Sequence, residues 1–265
     1  MRLSAYISGI GVLGPGFNNW PQAAALLSGE QPYVPAPTLL PTPAMLPSAE
    51  RRRTGRVVKL ALAVGWEATS SADADPKQIP SVFSSSGSDG HICHEICQAL
   101  ALPAREVSPT RFSNSVHNVA AGYWSIATGS LAAANVLCAF DASFVAGLLE
   151  ALTQATVDRE AVLLVAYDTE YPPPLHAKRP VPDALGVAMV LTPERTRSST
   201  AGIELTLTDE PHDKMTDTQL EALRMAIPAA RSLPLLRLLA MGAPGRVILE
   251  YLDVSRAAVK IEPCS

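Results

Sequence analysis

Four groups of residues in this 265-residue chain have types and spacings that could do chemistry. The first is Gly9-Ile10-Gly11-Val12-Leu13-Gly14, a Gly-x-Gly-x-x-Gly run directly after a strand-like segment. Glycines so spaced can bring a helix N-terminus against a pyrophosphate. Here Pro15 and Gly16 interrupt the junction, and the acidic residue at ribose distance, Glu30, falls in a Gly/Pro loop. The run reads first as a strand and turn whose glycines permit close backbone packing, with nucleotide binding as the alternative. The second group is His91, Cys93, His94 and Cys97. Two cysteines four apart share a helix face, as zinc ligands can. No second ligand pair follows, and Ile92 and Ile96 mark an amphipathic helix, so no metal is expected. The third is Ser84-Ser85-Ser86-Gly87-Ser88-Asp89-Gly90. It could be a serine-nucleophile turn or an anion nest, but it lacks the Gly-x-Ser-x-Gly elbow and reads better as a tight turn at a strand end. The fourth is the turn at Phe140–Ser143, where an apolar strand meets a helix. A side chain on such a turn sits over a helix N-terminus, whose dipole can activate a thiol.

These groups need elements to hold them. Residues 3–12 alternate as an opening strand, and a helix over 20–27 stops at Gly29. Residues 31–48 carry Pro32, Pro35, Pro37, Pro41, Pro43 and Pro47, so they form an extended surface segment. Leu39, Leu40, Met45 and Leu46 suggest that this segment packs down. Helices are expected over 54–70, 91–101, 119–128, 143–156, 217–225 and within 234–241. Strands are expected over 79–87, 134–140, 161–168, 184–192, 203–209, 247–253 and 257–263, with 203–209 nearer an edge. Strands that alternate with helices and then gather predict an α/β fold, a mixed sheet covered by helices.

Composition narrows the function classes. About 48% of residues are apolar and 17% charged, the balance of a chain that buries a core. The net charge of −4 leaves no basic excess to neutralise phosphates, so no nucleic-acid partner is expected. The cluster Arg51, Arg52, Arg53 and Arg56 beside Glu50 reads as a solvated helix start. The most apolar stretch, 130–152, is interrupted by Asn135, Asp141 and Glu150, which argues against a membrane span. No signal-peptide pattern opens the chain, and four cysteines are too few for a disulfide framework, so the cytoplasm is the expected compartment.

Residues 109–153, PTRFSNSVHNVAAGYWSIATGSLAAANVLCAFDASFVAGLLEALT, combine a small-residue helix, a strand, a sharp turn and a second helix. This stretch resembles the β-ketoacyl synthase family, of the thiolase fold. Residues 6–29 resemble that family's opening strand, glycine turn and first helix. Residues 51–68 resemble its second helix, and 82–90 its next strand and Gly-rich turn. Residues 161–168 and 184–191 resemble its following strands. The likeness covers most of 1–195, read as the N-terminal domain, and 196–265 reads as an abbreviated C-terminal half completing the same fold. A gap-free alignment through Gly129 puts Asp141 where the family has its catalytic cysteine, and a carboxylate cannot hold an acyl chain as a thioester. Cys138 falls three residues early and is expected in the core, leaving it or a serine of 84–88 as the alternative nucleophile for an acyltransferase or hydrolase. The family's two catalytic histidines sit in a His-Gly-Thr loop and near an Asn-Ser-Phe-Gly turn. None of His91, His94, His117, His176 and His212 has such neighbours.

The resemblance therefore implies a non-catalytic, cofactor-free subunit, like the chain-length factors that pair with an active ketosynthase. Such subunits help set product length in polyketide, polyene or fatty-acid-like synthesis, and a shortened one resembles the arrangement in aryl-polyene pathways. The implied partners are a full-length β-ketoacyl synthase and, through it, an acyl carrier protein. The segment 109–124 would line the interface, with Phe112, Val116, His117 and Tyr123 as tunnel-wall candidates. Val136 to Phe140 would pair across the dimer axis. A large apolar interface and poor behaviour of the isolated chain would follow.

Overall fold

The computed structural model describes residues 2–264. Eight strands form one sheet: β1 (Arg2–Leu13), β2 (Ser81–Ser84), β3 (Ala134–Leu137), β4 (Val162–Asp168), β5 (Leu185–Thr192), β6 (Ala201–Thr208), β7 (Gly245–Leu249) and β8 (Arg256–Pro263). Their order is β3-β2-β4-β5-β1-β6-β8-β7. The pairs β3–β2 and β2–β4 are parallel, and every other pair is antiparallel. Ten helices accompany them: α1 (Trp20–Ser28), α2 (Ser48–Arg51), α3 (Arg56–Ser71), α4 (Gly90–Ala101), α5 (Pro109–Asn114), α6 (Val119–Thr128), α7 (Ser143–Val157), α8 (Pro173–His176), α9 (Thr218–Ala226) and α10 (Leu233–Ala240).

Burial explains the layering. The runs VLLVAYD of β4 and LGVAMVLT of β5 are buried along their whole length, as strands covered on both faces must be. One face packs against α7, α1, α9 and α10 through residues such as Leu148, Leu152, Leu27, Leu220 and Leu235. The other packs against α3 and α6 through Leu60, Val64, Ala120 and Trp124. Local signals stop and start the helices. The Asn19 side chain accepts from the Gln22 N–H at 2.9 Å, and Gly29 closes α1 with φ 86°. Asp89 and Asp217 cap α4 and α9 in the same way.

The segment after residue 195 joins this sheet. Strands β6, β8 and β7 extend it beyond β1, while α9 and α10 cover the same face as α7. Strand β6 is paired on both sides, so it lies inside the sheet and not at its margin. Three strands stop short of the ends the sequence predicts, β7 at Leu249 among them. β2 ends at Ser84 and β3 at Leu137, because the residues that follow each turn away to make side-chain contacts described below. In the proline-rich segment Leu46 is buried and Leu40 and Met45 partly so, whereas Leu39 is 72% exposed.

The glycine run proves to be a packing device. Gly9 and Gly11 lie within β1, where an added Cβ would sit 2.1 Å from the carbonyl oxygens of Ala68 and Val64. Helix α3 therefore occupies the space a pyrophosphate would need, which overturns the nucleotide-binding alternative. Gly11→Ala should lower stability by about 2–3 kcal/mol, because backbone has to move. Gly122→Ala in α6 meets open space and should leave stability level or slightly raised. Urea denaturation of the two variants checks this; equal midpoints would show that α3 does not pack on β1 through Gly11.

Candidate functional site

The strand-to-helix turn between β3 and α7 is built by its own hydroxyl. The Oγ of Ser143 donates to the Phe140 carbonyl at 2.7 Å and accepts from the Ala139 N–H at 3.0 Å. A 3-10 turn, Phe140–Ala142, leads directly into the helix. Phe140 has φ 51°, in the left-handed region, which a bulky side chain enters only under constraint. Its ring is 62% exposed and lies under the Arg179 guanidinium, 3.7 Å from the ring centroid. The strained residue of this turn is thus Phe140, one position before Asp141.

Asp141, on the same turn, is held between two arginines. Its Oδ1 meets Arg179 Nη2 at 2.7 Å and its Oδ2 meets Arg231 Nη2 at 3.1 Å. Arg231 also pairs with Glu250, and Glu250 Oε2 with Arg224 Nη1 at 3.1 Å. Arg224, itself buried, donates to both oxygens of Glu221 at 2.8 Å. The hydrogen bonds from Arg224 pull the Glu221 carboxyl down to about 2. Burial opposes the charge of Glu250, but Arg231 and Arg224 outweigh it and hold that carboxyl below its ordinary range. The chain of charges runs from the turn to α9 and to the end of β7, in the segment after residue 195.

Beside the turn lies the Ser85–Ser88 loop, fixed from beneath by a buried carboxylate. Asp168, at the end of β4, accepts from the Ser86 N–H at 2.9 Å and the Ser86 hydroxyl at 2.5 Å. Its other oxygen accepts from the Ala229 N–H at 2.9 Å. Ser85 bonds the Gly87 carbonyl within the loop. The serine run is therefore a turn at a strand end, with the Ser86 hydroxyl committed to Asp168. Ser84 Oγ is buried without a hydrogen-bond partner, and no histidine is bonded to any serine of the run. On its outer side the loop reaches two neighbours. Ser88 Oγ donates to the Val116 carbonyl at 3.1 Å, and Cys138 Sγ donates to the Ser86 carbonyl at 3.4 Å.

The remaining predicted site residues divide between this open side and the interior. Phe112 and Val116 are 66% and 45% exposed. His117 is half-buried, and its Nε2 is enclosed without a hydrogen-bond partner. Tyr123 instead faces α3 in the core, with its hydroxyl 3.4 Å from Asn114 Oδ1, so it does not share a surface with Phe112 and Val116. Cys138 is exposed, contrary to expectation, because β3 is the outermost strand and its far side is uncovered. Cys93 and Cys97 are exposed along α4, and no group of three or more metal-ligating side chains comes together among the described residues. Asp168, Arg179 and Arg231 went unnoticed in the sequence. An acid closing a buried apolar run is a signal for Asp168, but the two arginines act across 38 and 90 positions of chain, where no local pattern exists.

These features sit in a chain whose residues 18–239 match the model of the β-ketoacyl synthase N-terminal domain. The chain belongs to that family. No curated protein sequence matches it. Among solved structures, the complex of the ketosynthase ApeO with its chain length factor ApeC from Xenorhabdus doucetiae aligns with a TM-score of 0.72 at 23% identity, over 97% of this chain and 99% of that one. The ishigamide ketosynthase/chain length factor aligns with a TM-score of 0.72 at 13% identity, over 99% and 100%. A type II polyketide synthase complex of acyl carrier protein with its ketosynthase bound to the hexaketide gives 0.75 at 12%, over the whole of both chains. At these identities the likeness is one of fold: the thiolase-like ketosynthase architecture in a short chain. No described helix is long and apolar enough to cross a membrane.

The Asp168 cluster makes a pH signature. Burial pushes its carboxyl up from 3.8 to about 6, against the hydrogen bonds from Ser86 and Ala229 that favour the charge. A carboxyl raised on folding binds its proton more tightly in the folded state. Stability should therefore rise as pH falls from about 7 towards about 4, by up to roughly 3 kcal/mol. Thermal denaturation of wild type and Asp168→Asn across that window measures the difference. A wild-type excess that shrinks on acidification would overturn the assignment.

Proposed function

We propose that this chain is a non-catalytic ketosynthase-like subunit that pairs with an active β-ketoacyl synthase and helps bound the space in which its acyl chain grows. One observation carries the reading. At the strained strand-to-helix turn, where the family's chemistry needs a nucleophile over a helix N-terminus, this chain holds the phenyl ring of Phe140. A phenyl ring forms no acyl intermediate, and Asp141 beside it is bound in two ion pairs. Whichever of the two residues takes the nucleophile's place, neither side chain can hold an acyl chain as a thioester.

The side that would meet the partner is chemically prepared for it. Strand β3 pairs only with β2, and Leu131, just before it, is fully exposed. The Ala133 and Leu137 carbonyls accept from Ser81 and Ser85 of the β2 segment. By the two-residue period of a strand, Ala134 and Val136 then aim their N–H and C=O groups outward. Phe112, Val116 and Phe140 offer further exposed apolar side chains. The relatives of similar fold include ketosynthases solved with a chain length factor and one solved with an acyl carrier protein, and the proposed partners are the same two classes.

The test is co-expression with a full-length ketosynthase. The two chains should purify together, and Val136→Pro, which removes an outward N–H while sparing the bonds to β2, should abolish that association without loss of the monomer's fold. Phe112→Ala should shift product length. An acyl-thioester electrophile should leave the chain unlabelled. Labelling at Cys138, the exposed thiol just before the turn, would replace this reading with an acyltransferase.

A further inference from the structure

On the far side of the sheet from α7, the proline-rich segment stands away from α3 and leaves a cleft of about 620 Å³. That size is in the range of small-molecule sites. Its floor is one face of α3, because Lys59, Ala63 and Trp66 follow at helical spacing and all line it. Leu13 also lines it, and Leu40, Pro43 and Met45 of the proline-rich segment supply the other wall.

That wall is preformed. Thr38 anchors one end, its N–H donating to Asp183 Oδ2 at 3.0 Å and its hydroxyl to the Ala184 carbonyl at 2.7 Å. Leu46, fully buried, anchors the other. Pro41 and Pro43 stiffen the span between them, so the cleft does not close by chain collapse.

Two charged side chains touch the cleft, and only one is available. Glu67 accepts the Val12 N–H at 2.9 Å and the Trp20 N–H at 2.6 Å, one on each oxygen. Lys59 is half-buried and makes no ion pair among the described residues. The lining is otherwise mostly apolar, with Trp66 37% exposed at the end opposite Lys59. From Lys59 to Glu67 the helix rises about 12 Å, the length of an extended medium acyl chain.

We propose that this cleft binds a small amphipathic monocarboxylate, with its carboxylate on Lys59 and its apolar body along Ala63 and Trp66. An apolar groove with a single free cation at one end selects that class over neutral lipids and over amines. The site is separate from the β3–α7 turn and does not depend on the role proposed for it.

Decanoate is the probe, titrated into the purified chain by calorimetry and by quenching of tryptophan fluorescence. Saturable one-site binding is expected, with decylamine and decanol at least tenfold weaker. Lys59→Met should weaken decanoate about tenfold and leave decanol within twofold. Ala63→Phe should block decanoate by filling the floor. If that variant does not fold, the Lys59→Met and decylamine arms decide. Absence of saturable binding below the micelle-forming range would overturn the proposal. So would decanoate affinity indifferent to Lys59→Met, or decylamine binding as well as decanoate.

Discussion

Much of this molecule hangs on one buried carboxylate. Asp168 closes the central strand β4 and spends its two oxygens on different parts of the chain. One holds the Ser86 loop that follows β2, and the other holds the Ala229 N–H in the segment after β6. Burying a charge is unfavourable unless hydrogen bonds replace water, and here three short bonds do so. In return, the loop beside the Phe140 turn and the C-terminal covering of α7 take fixed positions relative to the sheet. The ion pairs from Asp141 through Arg231 to Glu250 act on the same two regions from the surface side.

With both regions fixed, the turn before α7 keeps the geometry of a reactive elbow while carrying a residue that cannot react. The strain at Phe140 is held by Ser143 and by the stacked Arg179. On the proposed function, the surface offered to a partner depends on β3, α5 and the loop at Ser86 and not on a thiol. The outward-facing edge of β3 is what distinguishes this side from the opposite margin, where Asp213 bonds the backbone N–H and C=O of Ile248 on β7.

The sequence made the central architecture legible. The buried runs of β4 and β5 and the small-residue helix α6, stopped at Gly129, are written in local pattern, so their bounds fall where periodicity puts them. What escaped it depends on distance. Strand β2 stops at Ser84 because Asp168, eighty-odd residues on, claims Ser86. Cys138 reads as core by its apolar neighbours, but whether a strand has a neighbour on its far side is a property of the whole sheet. The strain at Phe140 was not legible either, because a 3-10 turn separates β3 from α7 and backbone dihedrals leave no local pattern in the sequence. The glycine run carried a true signal of close approach; α3, not a ligand, is what approaches.

The order of strands also has a consequence for how the chain comes to be folded at all. Strand β1 precedes the other described elements, yet its two ladder neighbours are β5 and β6, which follow some 180 residues later. Until they emerge, this twelve-residue, largely apolar strand has no ladder partner for most of its backbone, although α1, α3 and α7 can already pack against its side chains. Contacts this distant in sequence form slowly and leave nascent chains open to aggregation. The sheet is therefore closed late, when the last third of these residues supplies both ladder neighbours of β1.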